Sequence, residues 1–232
     1  MRAAQENAER RRRWLMIGGV VAALAVVVGV AFALQVQRDT TDPDAAVPAG
    51  ATEEYGVPLG ESSAPTTVAV YEDFLCPVCG VFEEAVSDEL RAAVDDGRIV
   101  LEYRVVAFLD RASEDEYSTR AANAAAVVLD AAGEDAYAAF HDLLFAHQPA
   151  EGGPGLSDDE LVDFAVQAGA TEADVRAGIE GRAFEGWVRN ATDAMSRAGV
   201  TGTPTVFLDG EVVEGETLQD VVNQTLAAAQ ED

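Results

Sequence analysis

Thr66-Thr67-Val68-Ala69-Val70-Tyr71-Glu72-Asp73-Phe74-Leu75-Cys76-Pro77-Val78-Cys79 joins two patterns that together decide the fold. The stretch TTVAVY at 66–71 is β-branched and apolar, as in a strand buried on both faces. Cys76-Pro77 interrupts it. Beyond, Val78, Phe82, Ala85, Val86, Leu90, Ala93 and Val94 recur at spacings of three and four, which predicts an amphipathic helix that stops near Gly97. Ile99 to Val106 (IVLEYRVV) reads as a second strand. Strand, helix, strand over about 40 residues is a βαβ unit with parallel pairing and a right-handed crossover.

Working outward, the pattern between about 113 and 198 is helical. Three start signals of capping-box type appear: Ser113 with Glu116, Ser157 with Glu160, and Thr171 with Asp174. Gly152-Gly153-Pro154-Gly155 breaks this block. Thr205–Leu208 and Glu211–Glu214 flank Asp209-Gly210, a strong hairpin signal. A last helix is expected from about Thr217 to Ala229. The order is β-α-β, a helical block, then β-β-α, an α/β chain without internal repeats.

The 232 residues carry 42 Asp and Glu against 15 basic residues, all Arg, for a net charge of −27. So acidic a chain repels phosphate backbones, which argues against nucleic-acid binding. At 49% hydrophobic it is too apolar for an acidic disordered chain. Arg10 to Arg13 precede an uncharged run from Trp14 to Leu34. As a helix that run spans roughly 31 Å, the thickness of a bilayer core. The arginines on one flank predict a cytoplasmic tail at 1–13, a membrane helix or signal anchor at 14–37, and export of the remainder. Ala31-Phe32-Ala33 offers the competing reading of a cleaved signal peptide. Residues 38–54, with Pro43, Pro48 and Gly50, read as a linker that could extend roughly 50 Å. Residues 55–232 then form the exported domain, with a helical insertion at about 111–198. With five Arg and two Glu in residues 1–35, the rest carries −30.

Cys76 and Cys79 are the only cysteines, in a C-x-x-C pattern. A bridge over so short a loop removes little unfolded-chain entropy, so a structural disulfide is a poor account of it. Thiolates carry out thiol–disulfide exchange, and Cys76 stands at the expected helix N-cap. Pro77 takes the first helical position, where a missing N–H costs nothing, and the unpaired amides face the sulfur. Cys79, nearly one turn on, is placed to attack a mixed disulfide formed at Cys76. Zinc is not expected, because His141 and His147 lie outside finger spacing. Both histidines read as packing or surface residues, and Glu72 and Asp73 as solvated loop charges.

The segment Tyr71 to Cys79 resembles the active-site segment of the DsbA-like branch of the thioredoxin superfamily, in the form of its membrane-anchored bacterial members. Gly199-Val200-Thr201-Gly202-Thr203-Pro204-Thr205-Val206-Phe207 resembles that family's cis-proline loop, and Phe140-His141-Asp142-Leu143-Leu144-Phe145 a piece of its inserted helical subdomain. The resemblance covers about residues 55–230. It implies a thioredoxin-like fold with an α-helical insertion, behind one N-terminal transmembrane helix. It implies a cis Thr203–Pro204 bond opposite the CxxC, with Thr203 and Pro204 binding an extended substrate. Cys76 and Cys79 would be the catalytic pair around the Pro77-Val78 dipeptide, with no cofactor beyond their own disulfide and no metal. Two departures bear on redox poise: Val78 stands where the family's strongest oxidants carry His, and Val70 where many relatives place a buried acid.

The expected activity is extracytoplasmic disulfide donation to exported cysteine-containing proteins through a mixed disulfide at Cys76. A single cysteine pair has no internal relay, so a membrane partner, a DsbB or vitamin K epoxide reductase homologue, is expected to reoxidise it. The alternatives are a tethered reductase or isomerase, and a non-catalytic binding or chaperone module with a structural CxxC bridge.

Overall fold

The computed structural model describes residues 41–230. Its centre is the strand read first. Strand β1 (Val57–Leu59) precedes β2 (Thr66–Glu72), which leads into helix α1 (Pro77–Asp95) and strand β3 (Ile99–Val105). A 3₁₀ turn at Asp110–Ala112 opens the helical insertion: α2 (Tyr117–Ala146), α3 (Asp158–Gln167), α4 (Glu172–Glu180) and α5 (Glu185–Arg197). The chain closes with β4 (Thr205–Leu208), β5 (Glu211–Val212) and α6 (Leu218–Ala229). The five strands form one sheet in the order β1-β3-β2-β4-β5. β2 pairs parallel with β3, Thr66 opposite Ile99, and antiparallel with β4, Val68 opposite Leu208.

A mixed sheet with β2 at its centre explains the apolar run. Val68, Val70, Ile99, Leu101 and Tyr103 are wholly buried between the sheet's neighbours. On α1 the buried face is Cys79, Phe82, Glu83, Val86, Leu90 and Ala93. Of the expected stripe Phe82, Val86, Leu90 and Ala93 are buried, but Val78 and Ala85 face outward, while Cys79 and Glu83 face in. The helix ends as expected at Gly97, whose φ of +71° lets the Arg98 N–H close on the Ala93 carbonyl at 2.9 Å.

Ser157 and Glu160 form the expected capping box of α3. Ser113 and Glu116 do not. Glu116 takes a left-handed conformation, Ser113 Oγ accepts from the Tyr117 N–H at 2.9 Å, and the Glu116 carboxylate pairs with Arg182. Thr171 is the N-cap of α4 without a side-chain cap bond. Inside α2, Gly133 at φ +82° kinks two helical runs. Asp209 and Gly210, both at positive φ, make the hairpin turn between β4 and β5, as Asp-Gly does in a type I′ turn. β5 is shorter than read, and β1, three residues around Pro58, carried too little pattern to be read at all.

The expected tail at 1–13 and membrane helix at 14–37 lie outside the described residues. Among the described residues no helix is long and apolar enough to cross a membrane. The described part of the expected linker, residues 41–54, is not free chain. The Asp42 N–H donates to Asn190 Oδ1 and the Asp42 carbonyl accepts from Asn190 Nδ2, both at 2.8 Å. Ala49 N–H donates to Asp130 Oδ1 and Glu54 pairs with Arg104. Pro and Gly remove periodicity from a segment without preventing its hydrogen bonds, so composition alone misread it.

Candidate active site

Each part of the fold delivers one part of the site. β2 ends at Glu72, and a tight turn follows in which Cys76 N–H donates to the Asp73 carbonyl at 2.9 Å. Cys76 is then the N-cap of α1, extended at φ −73°, ψ 113°, with Pro77 at the helix start. The antiparallel pairing of β4 to β2 sets Thr205 opposite Tyr71 and so brings the preceding Thr203-Pro204 alongside. That peptide bond is cis. Cys76 Sγ lies 3.4 Å from the Thr203 carbonyl oxygen. The structure thus brings together Cys76, Pro77, Cys79, Thr203 and Pro204, and leaves Val78 46% exposed beside them.

Both cysteines are free thiols, and their environments push them apart. The Cys76 thiol is lowered to about 6. The bond from Cys79 is the largest cause and outweighs burial, with help from the Thr203 side chain and the N–H groups of Cys79 and Val78. Cys79, wholly buried, is raised far above the thiol range, first by burial, then by Cys76 and the negative charge of Glu72. At neutral pH Cys76 is a thiolate at the surface end of the pair, and Cys79 a thiol behind it.

Behind Cys79 lies a charged cluster. Glu72, Glu83 and His141 are all buried. His141 Nε2 and Glu72 Oε1 are 2.5 Å apart, and the His141 ring stacks 4.0 Å from the Tyr103 ring. Burial opposes charge on His141, yet Glu72, Asp142 and Glu83 together push it up to about 10. Burial, reinforced by Glu72, pushes Glu83 up to about 7. One donor atom from each of the three lies within 4.8 Å of the others, a geometry that invites comparison with a metal site. The short His141–Glu72 contact is a hydrogen-bonded ion pair, however, and the two groups are closed on each other.

This corrects the expectation for Glu72 and Asp73, which are both wholly buried. β2 runs through Glu72, whose carbonyl accepts from Val106 N–H at 2.9 Å. The period-2 alternation that turns Val68 and Val70 inward therefore carries on to residue 72. That continuation was the missed signal. His141 is packed, as read, against Phe74 and Phe145, but it is also paired. His147 is exposed and stacks on Phe164. Gln148, not singled out in the sequence, donates through Nε2 to the carbonyls of Phe74 and Cys76, at 2.9 and 3.0 Å. From there a groove of about 600 Å³ runs along α1, lined by Pro77, Val81, Glu84, Phe145 and Ala146.

The family model described as Thioredoxin matches residues 52–228. Among solved structures, oxidised DsbA of Mycobacterium tuberculosis is 31% identical with a TM-score of 0.63, over 76% of this chain and 93% of that one. MdbA, a thiol-disulfide oxidoreductase from Corynebacterium diphtheriae, is 26% identical with a TM-score of 0.64, over 81% of this chain and 98% of that one. Serine/threonine-protein kinase PknE of Mycobacterium tuberculosis is 32% identical over 165 residues, which is 68% of this chain but only 29% of the kinase. The chain belongs to the thioredoxin family, in its DsbA-like thiol–disulfide oxidoreductase branch.

Proposed function

We propose that the protein donates disulfides to exported proteins, with Cys76 as the exchanging sulfur and Cys79 as its resolving partner. In the oxidised form a substrate thiolate attacks Cys76 Sγ. The Cys76–Cys79 bond breaks, and its electron pair leaves on Cys79. A second substrate thiolate then attacks the substrate sulfur of the mixed disulfide and releases Cys76 as a thiolate. The substrate loses two electrons and the pair gains them. In the reverse step Cys79 must lose its proton before it attacks the mixed disulfide. The buried Glu72 has its Oε1 held by His141, while its Oε2 has no hydrogen-bond partner among the described residues.

The observation that carries the oxidising direction is the place of Cys76 at the N-cap of α1 beside Thr203, where its thiol is lowered to about 6. A stabilised thiolate stabilises the reduced protein, which makes its disulfide a stronger oxidant. Cys76 and Cys79 are also the only cysteines, so the electrons have to leave through a second protein. A quinone-linked DsbB or vitamin K epoxide reductase homologue suits that role. The arginine-flanked apolar run at 14–34 supports a single-pass membrane anchor, with residues 1–13 cytoplasmic and the domain outside. Thr203 and Pro204 would meet an extended substrate segment, a reading supported by the Thr203 carbonyl lying 3.4 Å from Cys76 Sγ. Equilibration with glutathione tests the direction. A potential above the thioredoxin value of about −270 mV, shifted toward the DsbA value of about −120 mV, is expected, and one at or below the thioredoxin value would overturn the oxidase reading.

A further inference from the structure

Asp73 is a carboxylate that the exchange reaction does not touch, yet it is wholly buried one turn before Cys76. Its Oδ1 accepts from the Leu75 N–H at 2.9 Å and the Ser118 hydroxyl at 2.7 Å, and its Oδ2 from the Leu109 N–H at 2.8 Å. The three donors come from three separate segments: the CxxC turn itself, the loop after β3, and the first turn of α2. The main chain of the same residue meets both cysteines. Its carbonyl accepts from Cys76 N–H at 2.9 Å, and its backbone amide favours the charged form of Cys79.

We infer that Asp73 is a positioning residue for the redox pair: its carboxylate ties the CxxC turn to the helical insertion and so fixes the two sulfurs. The inference rests on the reading of Cys76 and Cys79 as the exchanging pair. A turn alone would need only the Leu75 bond, which Asn or Ser also supplies. Three converging donors need an acceptor with no donor of its own, and among side chains of this size only an ionised carboxylate is one. Asn would turn its NH₂ group against Leu109 N–H, or against Leu75 N–H and Ser118. The turn would shift, and with it the bond from Cys79 that holds the Cys76 thiolate. Burial raises Asp73 to about 6 even with these partners, so the site keeps its ionised form at neutral pH through the donors it has gathered.

The test uses the full chain and its Asp73→Asn and Ser118→Ala variants. Thiolate absorbance against pH reports the Cys76 titration, glutathione equilibration reports the couple, and thermal unfolding reports stability separately. Asp73→Asn is expected to move the Cys76 titration up by one pH unit or more and to shift the glutathione equilibrium at pH 7 about fivefold or more toward the disulfide form. Ser118→Ala removes one of the three donors and is expected to move both in the same direction by about threefold. A folded Asp73→Asn protein with both readouts within twofold of the parent overturns the inference, even if its unfolding midpoint falls. If Asp73→Asn does not fold, unchanged readouts in Ser118→Ala overturn it. A parent protein that does not equilibrate with glutathione at all would instead refute the redox reading beneath it.

Discussion

The lowered Cys76 thiol makes a prediction about how the potential of the pair depends on pH. An ordinary thiol titrates at about 8.5 and Cys76 at about 6. At pH 7 the difference stabilises the reduced protein by RT times the logarithm of about 11, which is about 1.4 kcal/mol, or about 30 mV for a two-electron couple. The sign follows from the depressed value: the contribution is complete above about pH 8.5 and is lost as the pH falls through 6. Cys79, raised by burial, keeps its proton throughout that window. Reduction therefore takes up two protons below pH 6 and one above it, and the slope of potential against pH drops from about 59 to about 30 mV per unit. Glutathione equilibration from pH 5 to 8.5, read by the thiol content of quenched samples, measures it. A slope that stays near 59 mV per unit through pH 8 would refute the assignment of a thiolate to Cys76.

Three further substitutions test the surroundings. Glu72→Gln leaves the buried His141 without its carboxylate, and breaking such a pair costs about 3–5 kcal/mol in chemical denaturation. Because His141 is raised to about 10, the pair's contribution is whole below about pH 6.5 and lost as pH rises through 10, so parent stability should fall across that range while the variant's stays flatter. Ser157→Ala removes the capping box of α3 and should cost about 1 kcal/mol in thermal unfolding without changing thiol exchange. Phe82→Ala empties a wholly buried position between α1 and the sheet, and a loss of about 3–5 kcal/mol is expected, against which a loss below 1 kcal/mol would contradict the packing described.

Where a pattern was local, the sequence was enough to read it. The β-branched run at 66–71, the Phe82-Val86-Leu90-Ala93 face, the Asp209-Gly210 turn and the Cys76-Pro77 helix start each depend on neighbours within a few residues, and each stands in the structure as read. What was not legible depends on distant partners. The charges on Glu72 and Asp73 look solvated until α2, some 45 to 70 residues later, brings Ser118 and His141 onto them. Gln148 reaches the CxxC turn from a loop whose glycines and proline hide any periodicity. The capping-box motif Ser113-x-x-Glu116 failed for the same reason, since Arg182, in the turn between α4 and α5, pairs with the glutamate. β1 is a three-residue edge strand defined only by its pairing with Leu101, Glu102 and Tyr103.

The central claim is that Cys76 exchanges disulfides and Cys79 resolves them. Trapping tests it directly: a Cys79→Ala protein, mixed with a reduced unfolded substrate and an oxidant and resolved without reducing agent, should accumulate a mixed disulfide that a Cys76→Ala protein does not form. Equal trapping by both variants would contradict the account, as would none by Cys79→Ala.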